Sequence, residues 1–425
     1  MAIAQDALAI GLTGPFGSGC TTAAMMLAER EKFERVRLSD LLMEEWRKQH
    51  PHKESIRPDL QALGNRIRQD ARNPGELMQR AIGRLEADQT THNRIVFDAL
   101  RNVGEINALK QRFGYGFFLF ALECPASERW ERVKPIYERQ NRNLVDFGYD
   151  NEHDRDEEQP YGQQVDLCVD RADVLLNNDD GVAHAHLRGK LIEYLKLVTG
   201  QEPRFARPAE IFMNSAFSAA HGSKCLKRQV GAVLVDAPPG KDGQVVGQGW
   251  NENPRGTHPC VEEPRYGAKP GERGKCYRDI VRFESYVALA GRHCPQCGKK
   301  LLVPENRLPP WRCAECSINL ERFFWPDRAM SLCTAIHAEV AAVLAAGSRA
   351  KGTTLYTTTF PCFQCAEKLV QAGVASIVFT EPYPDIRADD RLALADIDLT
   401  RFEGVRSSRF DEIFSRARPY ASEHE

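Results

Sequence analysis

The sequence predicts an α/β protein of two domains, and three observations carry that prediction. At the start of the chain an apolar strand runs into a Gly-rich turn and then a helix, with strand and helix segments alternating behind it. The texture breaks in a proline-containing stretch near residues 200–208. Beyond the break a second alternation carries His337-Ala338-Glu339 and, later, Pro361-Cys362-Phe363-Gln364-Cys365, each opening a helical pattern. A chain of 425 residues leaves room for two or three domains of roughly 150 residues.

In the first domain, 1–200, the run ALAIGLTG is a buried strand, GPFGSGC the turn, and TTAAMMLAER a helix with an apolar face. Strands are expected again at Arg94–Asp98, Tyr115–Glu123 and Ala172–Asn177, giving a mostly parallel sheet. Residues 201–208 read as a linker, and 209–425 as the second domain. There a helix over Ala209–His221 precedes the strands VGAVLVD and QVVGQGW. After an irregular stretch rich in Gly, Pro and Cys, the pattern resumes with a helix over His337–Ala346, the strand TTLYTTT, a helix over Cys362–Ala372 and the strand ASIVFTE. The last forty residues are charged, with scattered apolar positions.

Composition narrows the class. A net charge of -2 argues against a surface built throughout to grip nucleic acid. With 42% hydrophobic residues the chain is too apolar for disorder, and it holds no apolar run of the roughly 18 residues a membrane helix needs. Its start lacks a basic n-region, so the expectation is a soluble, cytoplasmic protein. The 13 cysteines are an odd number in that setting, and six of them form three C-x-x-C pairs. Such pairs under reducing conditions point to metal rather than disulfides.

The sharpest signal is His337-x-Glu339 followed by Pro361-Cys362-x-x-Cys365, which matches the signature of zinc-dependent nucleobase deaminases. One imidazole and two thiolates hold Zn²⁺ with a fourth position open to water. Glu339, two residues from a ligand, is placed to carry the proton. A second set, Cys294, Cys297, Cys313 and Cys316, has fifteen residues between its pairs, the spacing of a zinc ribbon. Four thiolates leave no open position, so this ion is structural; a redox switch or an RNA-binding knuckle using Trp311 and Arg312 is the alternative. His293 adds ambiguity to that ligand set, His258 and Cys260 read equally as metal or loop residues, and Cys333 stays open among the remaining thiols.

Gly14 to Thr21 fits the phosphate-loop pattern G-x-x-x-x-G-K-[ST] except that Cys20 replaces the lysine. Gly14, Gly17, Ser18, Gly19, Cys20, Thr21 and Thr22 can still cradle phosphate through backbone amides and the helix N-terminus. Asp98 at a strand end is a carboxylate for Mg²⁺. Without the lysine, nucleotide binding is better supported than phosphotransfer. Arg129, Arg132, Arg139 and Arg142 are either a lid over the nucleotide or a solvated helix face.

Residues 209–384 resemble the deoxycytidylate deaminase family through the blocks FMNSAFSAAHGSKCLKRQVGAVLVD, GQGWNENPRG, IHAEVAAV, PCFQCAEKLVQAGVASIVF and EPYPD. The resemblance implies a cytidine-deaminase-like α/β/α fold and hydrolysis of a deoxycytidine nucleotide. It also implies that Asn251 bonds the deoxyribose, that Ser223, Lys224 and Arg228 lie near the phosphate, and that Tyr383 lies near the sugar or ring. Asn251 reads otherwise as a turn cap, Lys224 and Arg228 as solvated charges, and Tyr383 as core edge. Typical members lack the cysteine-rich insertion, 258–327.

With its phosphate-loop, nucleoside/nucleotide-kinase-like first domain, nearly the whole chain resembles bacterial antiphage dCMP/dCTP deaminases. That resemblance implies depletion of dCTP during infection, restraint of some members by a small RNA, and a homo-oligomer. A polynucleotide deaminase acting on RNA or single-stranded DNA is the alternative. It would need a basic groove and aromatic platforms.

Overall fold

The computed structural model describes residues 3–155, 160–181, 184–266, 274–287, 293–301, 313–316, 318, 320, 333–381, 386–406 and 408–415. The chain divides into two compact units, Met1–Ala206 with Glu403–Glu425, and Arg207–Phe402. The break falls inside the expected linker. The end of the chain departs from expectation, because 403–425 joins the first unit instead of completing the second.

The first unit is built on strands β1 (Ile3–Thr13), β2 (Glu34–Arg37), β3 (His92–Leu100), β4 (Phe117–Glu123) and β5 (Val174–Asn177). These five are parallel in the order β5-β4-β1-β3-β2. Their central members read as unbroken apolar runs because both faces are covered; all seven residues of β4 are buried. Helix Cys20–Glu31 lays Ala23, Ala24 and Leu27 on one face, against Val96, Phe118 and Leu176. A short strand β11, Gly404–Val405, pairs antiparallel with β5. Arg406 then donates to the Val169 carbonyl, and Val405 and Ile413 enter this core. Edge pairing with β5 and burial of these two side chains hold the tail to the first unit.

The second unit adds β6 (Gly231–Val235), β7 (Val245–Trp250), β8 (Thr354–Thr359), β9 (Ser376–Glu381) and β10 (Asp398–Arg401), in the order β10-β9-β8-β6-β7. Strand β6 runs antiparallel to β7 and β8, whereas β8, β9 and β10 are parallel. Alternation along β6 sends Ala232 and Leu234 to a core shared with helices Ala338–Ala346 and Phe363–Ala372. The other face takes helix Pro208–Ala220, whose Phe212 ring lies 5.3 Å from Tyr356. The result is the expected α/β/α layering. Gly249 matters here: a Cβ would stand 2.5 Å from the Ala342 nitrogen, so only glycine lets helix Ala338–Ala346 settle on β7.

The insertion is more regular than its sequence suggested, because it contains helix Tyr277–Val287. Trp311 and Arg312, the candidate stacking pair, lie outside the described residues, as does Tyr383. Among the described residues no helix is long and apolar enough to cross a membrane.

Candidate active site and phosphate loop

Two helix N-termini converge on the metal-type site. His337 is the extended residue that opens helix Ala338–Ala346, and Cys362 holds the same position on helix Phe363–Ala372. Cys365 and Glu339 follow in the respective first turns, so unpaired amides and both helix dipoles favour anionic side chains here. His337 Nδ1 lies 3.2 Å from Cys365 Sγ and 3.4 Å from Cys362 Sγ. A tetrahedral zinc with ordinary bond lengths sets nitrogen and sulfur ligands about 3.6 Å apart, so the three donors fit zinc.

The Cys365 thiol, followed by His337, brings Cys362 down to about 4, so it is ready to ligate as thiolate. Glu339 is 4% exposed, and burial pushes its carboxyl above the usual glutamate range, which suits a group that accepts and returns a proton. A cavity of about 160 Å³ opens on this site, lined by Cys333, His337, Val340, Gln364, Cys365 and Lys368.

Cys333 is the residue that spacing could not assign. It lines the same cavity as His337. A single cysteine four positions before a ligand belongs to no repeating pattern, and nothing else in the sequence distinguishes it.

The ribbon cysteines also come together. Cys294 Sγ is 3.7 Å from Cys316 Sγ, and Cys297 Sγ is 3.6 Å from Cys313 Sγ. Those separations approximate the edge of a tetrahedral four-sulfur zinc site, about 3.8 Å. Leu301 and Leu320 are buried beside them, and His293 pairs through its backbone with Lys300.

The residues expected near the substrate form one braced loop. Asn251 accepts from the Val230 amide at 2.8 Å and donates to the Arg228 carbonyl at 2.8 Å. Ser223 Oγ donates to the Asn251 carbonyl at 2.9 Å. Asn251 and Ser223 are 8% and 3% exposed and here shape the 223–230 turn. Glu252 bonds Ile336 in both directions, which ties this turn to the residue before His337. Lys224 pairs with Glu262 at 2.7 Å, and Arg228 pairs with Glu381.

In the first unit, Gly14–Gly19 follows β1 and Gly19 opens helix Cys20–Glu31 with φ of 105°, a backbone that L side chains rarely adopt. Thr21 Oγ1 donates to Asp98 Oδ1 at 3.1 Å, and Arg35 Nη2 donates to Asp98 Oδ2 at 2.7 Å. The Ser18 carbonyl accepts from Asn178 at 2.6 Å. Thr22 is half-buried. Cys20 is not a substitute for lysine: its side chain is 7% exposed in the core, and burial pushes the thiol up to about 12.

The arginines do not form a solvated face as a group. Arg129 donates to the Phe16 carbonyl at 3.0 Å and Arg132 to the carbonyls of Asn178 and Gly181, at 2.7 and 2.6 Å. Arg142 clasps Asp150 through two bonds of 2.8 Å, while Arg139 is exposed. A cleft of about 450 Å³ beside β2, lined by Arg35, Arg37, Asp40 and Arg84, contains none of the metal-type ligands.

Comparison with known proteins adds three findings. Residues 207–381 match the family model described as the cytidine and deoxycytidylate deaminase zinc-binding region. The chain is similar to deoxycytidylate deaminase of Schizosaccharomyces pombe, 25% identical over 410 residues, covering 94% of this chain and 99% of that protein. It is also similar to deoxycytidylate deaminase of Enterobacteria phage T4, 28% identical over 202 residues, covering 45% of this chain and 88% of that protein.

Proposed function

We propose, because residues 207–381 match the model of the cytidine and deoxycytidylate deaminase zinc-binding region, that this chain hydrolyses the exocyclic amine of free deoxycytidine nucleotides. The chain is an enzyme, a hydrolase of the deoxycytidylate deaminase type. The observation that carries the mechanism is a buried Glu339 in the helix turn that follows His337, whose ring joins Cys362 and Cys365 in a three-donor site.

Zinc on His337, Cys362 and Cys365 would supply the Lewis acidity that makes water a nucleophile at neutral pH. Glu339 takes one proton from the attacking water and delivers it to the cytosine ring nitrogen, then moves the second from the new C4 hydroxyl to the exocyclic amino group, which leaves as ammonia as the C4 carbonyl forms. Its burial excludes bulk solvent from competing for that proton. The braced turn 223–230, fixed by Asn251, would supply Lys224 and Arg228 to the substrate phosphate. Cys294, Cys297, Cys313 and Cys316 would hold a second, structural zinc.

The substrates of this proposal are dCMP and dCTP. The name of the full-length relative supports the first, and the resemblance to defence deaminases supports the second, together with a role in depleting dCTP during phage infection. The small RNA and the homo-oligomer rest on that same resemblance.

We read the first unit as a nucleotide-binding, kinase-like domain. A glycine loop after central β1, opening a helix and bonded through Thr21 to Asp98, supports phosphate with Mg²⁺ there. The buried Cys20 argues against phosphotransfer. Stripping metal with a chelator should abolish deoxyuridylate formation from dCMP, and zinc should restore it. Undiminished turnover by fully metal-free protein would contradict the mechanism.

A further inference from the structure

The turn 223–230 carries three cations, and each is held by a carboxylate. Arg228 pairs with Glu381 at the end of β9, within the deaminase layers. The other two partners come from the insertion. Lys224 Nζ lies 2.7 Å from Glu262 Oε1, and Lys227 Nζ lies 2.5 Å from Asp279 Oδ2. Asp279 is 3% exposed and sits in the first turn of helix Tyr277–Val287, where the helix dipole favours its negative charge.

This placement is fixed with respect to the metal-type site. Asn251 pins the turn at Arg228 and Val230, and the double bond between Glu252 and Ile336 continues that brace to His337. The insertion helix therefore begins against the lysine turn, which that brace ties to the residue before His337.

We infer that Glu262 and Asp279 determine how strongly the site takes an anionic substrate, by neutralising Lys224 and Lys227 until a substrate phosphate displaces them. The inference rests on the proposed placement of turn 223–230 at the phosphate. A phosphate oxygen and a carboxylate oxygen compete for the same ammonium donors, so each carboxylate raises the substrate concentration needed for half-saturation. A deaminase domain without the insertion would keep both lysines free. The insertion then has a second consequence besides its metal: it sets affinity for the phosphorylated end of the substrate.

The test is steady-state kinetics of zinc-loaded, full-length Glu262→Gln and Asp279→Asn with dCMP. Glu262 is about half exposed, so its replacement should fold normally; thermal melting checks the buried Asp279 position. Relief of a surface pair should lower KM about three- to fivefold for Glu262→Gln, with the change in KM and not in kcat. Asp279→Asn should lower it further. The gap between variant and parent should close at high salt, because the competition is ionic.

Equal KM values in parent and Glu262→Gln at low salt, with dCMP still turned over, would overturn the inference and leave the deaminase reading intact. Deamination of an oligonucleotide but of no free nucleotide, by parent and variants alike, would remove the functional reading and this inference with it. Should Asp279→Asn fail to fold, Glu262→Gln decides alone.

Discussion

Replacing Glu339 with glutamine separates catalysis from stability, and the two should move in opposite directions. The side chain is 4% exposed at the second position after the His337 ligand, so water has little room to take over its proton transfers. Loss of a positioned acid–base group costs about 10²- to 10⁴-fold in kcat, or about 3–5 kcal/mol of barrier. Zinc content should hold, because Glu339 is not among the clustered donors His337, Cys362 and Cys365.

Stability has its own sign. Burial raises the Glu339 carboxyl in the fold, so above that raised value the folded state carries an ionised, desolvated carboxylate that the unfolded chain solvates freely. An isosteric neutral amide removes that penalty, and the metal-free protein should melt at the same or a higher temperature at pH 7. The assays are dCMP turnover, zinc by atomic absorption, and calorimetry of the apo protein. Turnover within tenfold of the parent would refute the assigned role. A drop of several degrees in melting temperature would refute the burial argument.

Other consequences follow from the same structure. The acid limb of kcat/KM should lie above the ordinary glutamate range near about pH 4.3, because activity needs ionised Glu339 and is lost as pH falls through its raised value. A pH–rate profile checks this, and an acid limb at or below ordinary glutamate contradicts it. Cys297→Ser should lower bound zinc from two ions per chain towards one and open the insertion to limited proteolysis, with zinc content as the measurement.

Asp154→Asn should destabilise the first unit by about 3–5 kcal/mol, since Arg57 and Arg101 would remain beside a neutral amide where a fully buried carboxylate stood. For a domain of this size that is a fall of roughly 6–20 °C in melting temperature. The contribution should fade in acid: despite its burial, Arg101 and Arg57 hold the Asp154 carboxyl below the usual range, so stability is lost as pH drops through that lowered value.

What the sequence disclosed was governed by how local each signal is. His337, Glu339, Cys362 and Cys365 are separated by helix-start spacings that metal chemistry dictates, so their convergence could be foreseen. β1, the glycine turn and helix Cys20–Glu31 were legible for the same reason: one strand, one turn and one helix in succession. The tail was not. Val405 and Ile413 are among a few apolar residues scattered through a charged stretch, and β5, with which Val405 pairs, lies more than two hundred residues earlier in the chain.

Helix Tyr277–Val287 was hidden among the Gly- and Cys-rich loops of the insertion, and its pairing of Asp279 with Lys227 has no sequence motif. The arginines of helix Ala126–Arg139 show the limit of charge patterning. Their spacing is that of a solvated face, yet Arg129 is 4% exposed and bonds the carbonyl side of the glycine turn. Periodicity reveals which side chains share a face, not what that face meets.

The central claim is hydrolytic deamination of free deoxycytidine nucleotides. Its most direct test is mass spectrometry of products from zinc-loaded protein given dCMP, dCTP, CMP, CTP and a cytosine-containing oligonucleotide in parallel. The account predicts uracil in the free deoxynucleotides. Uracil confined to the oligonucleotide would contradict it.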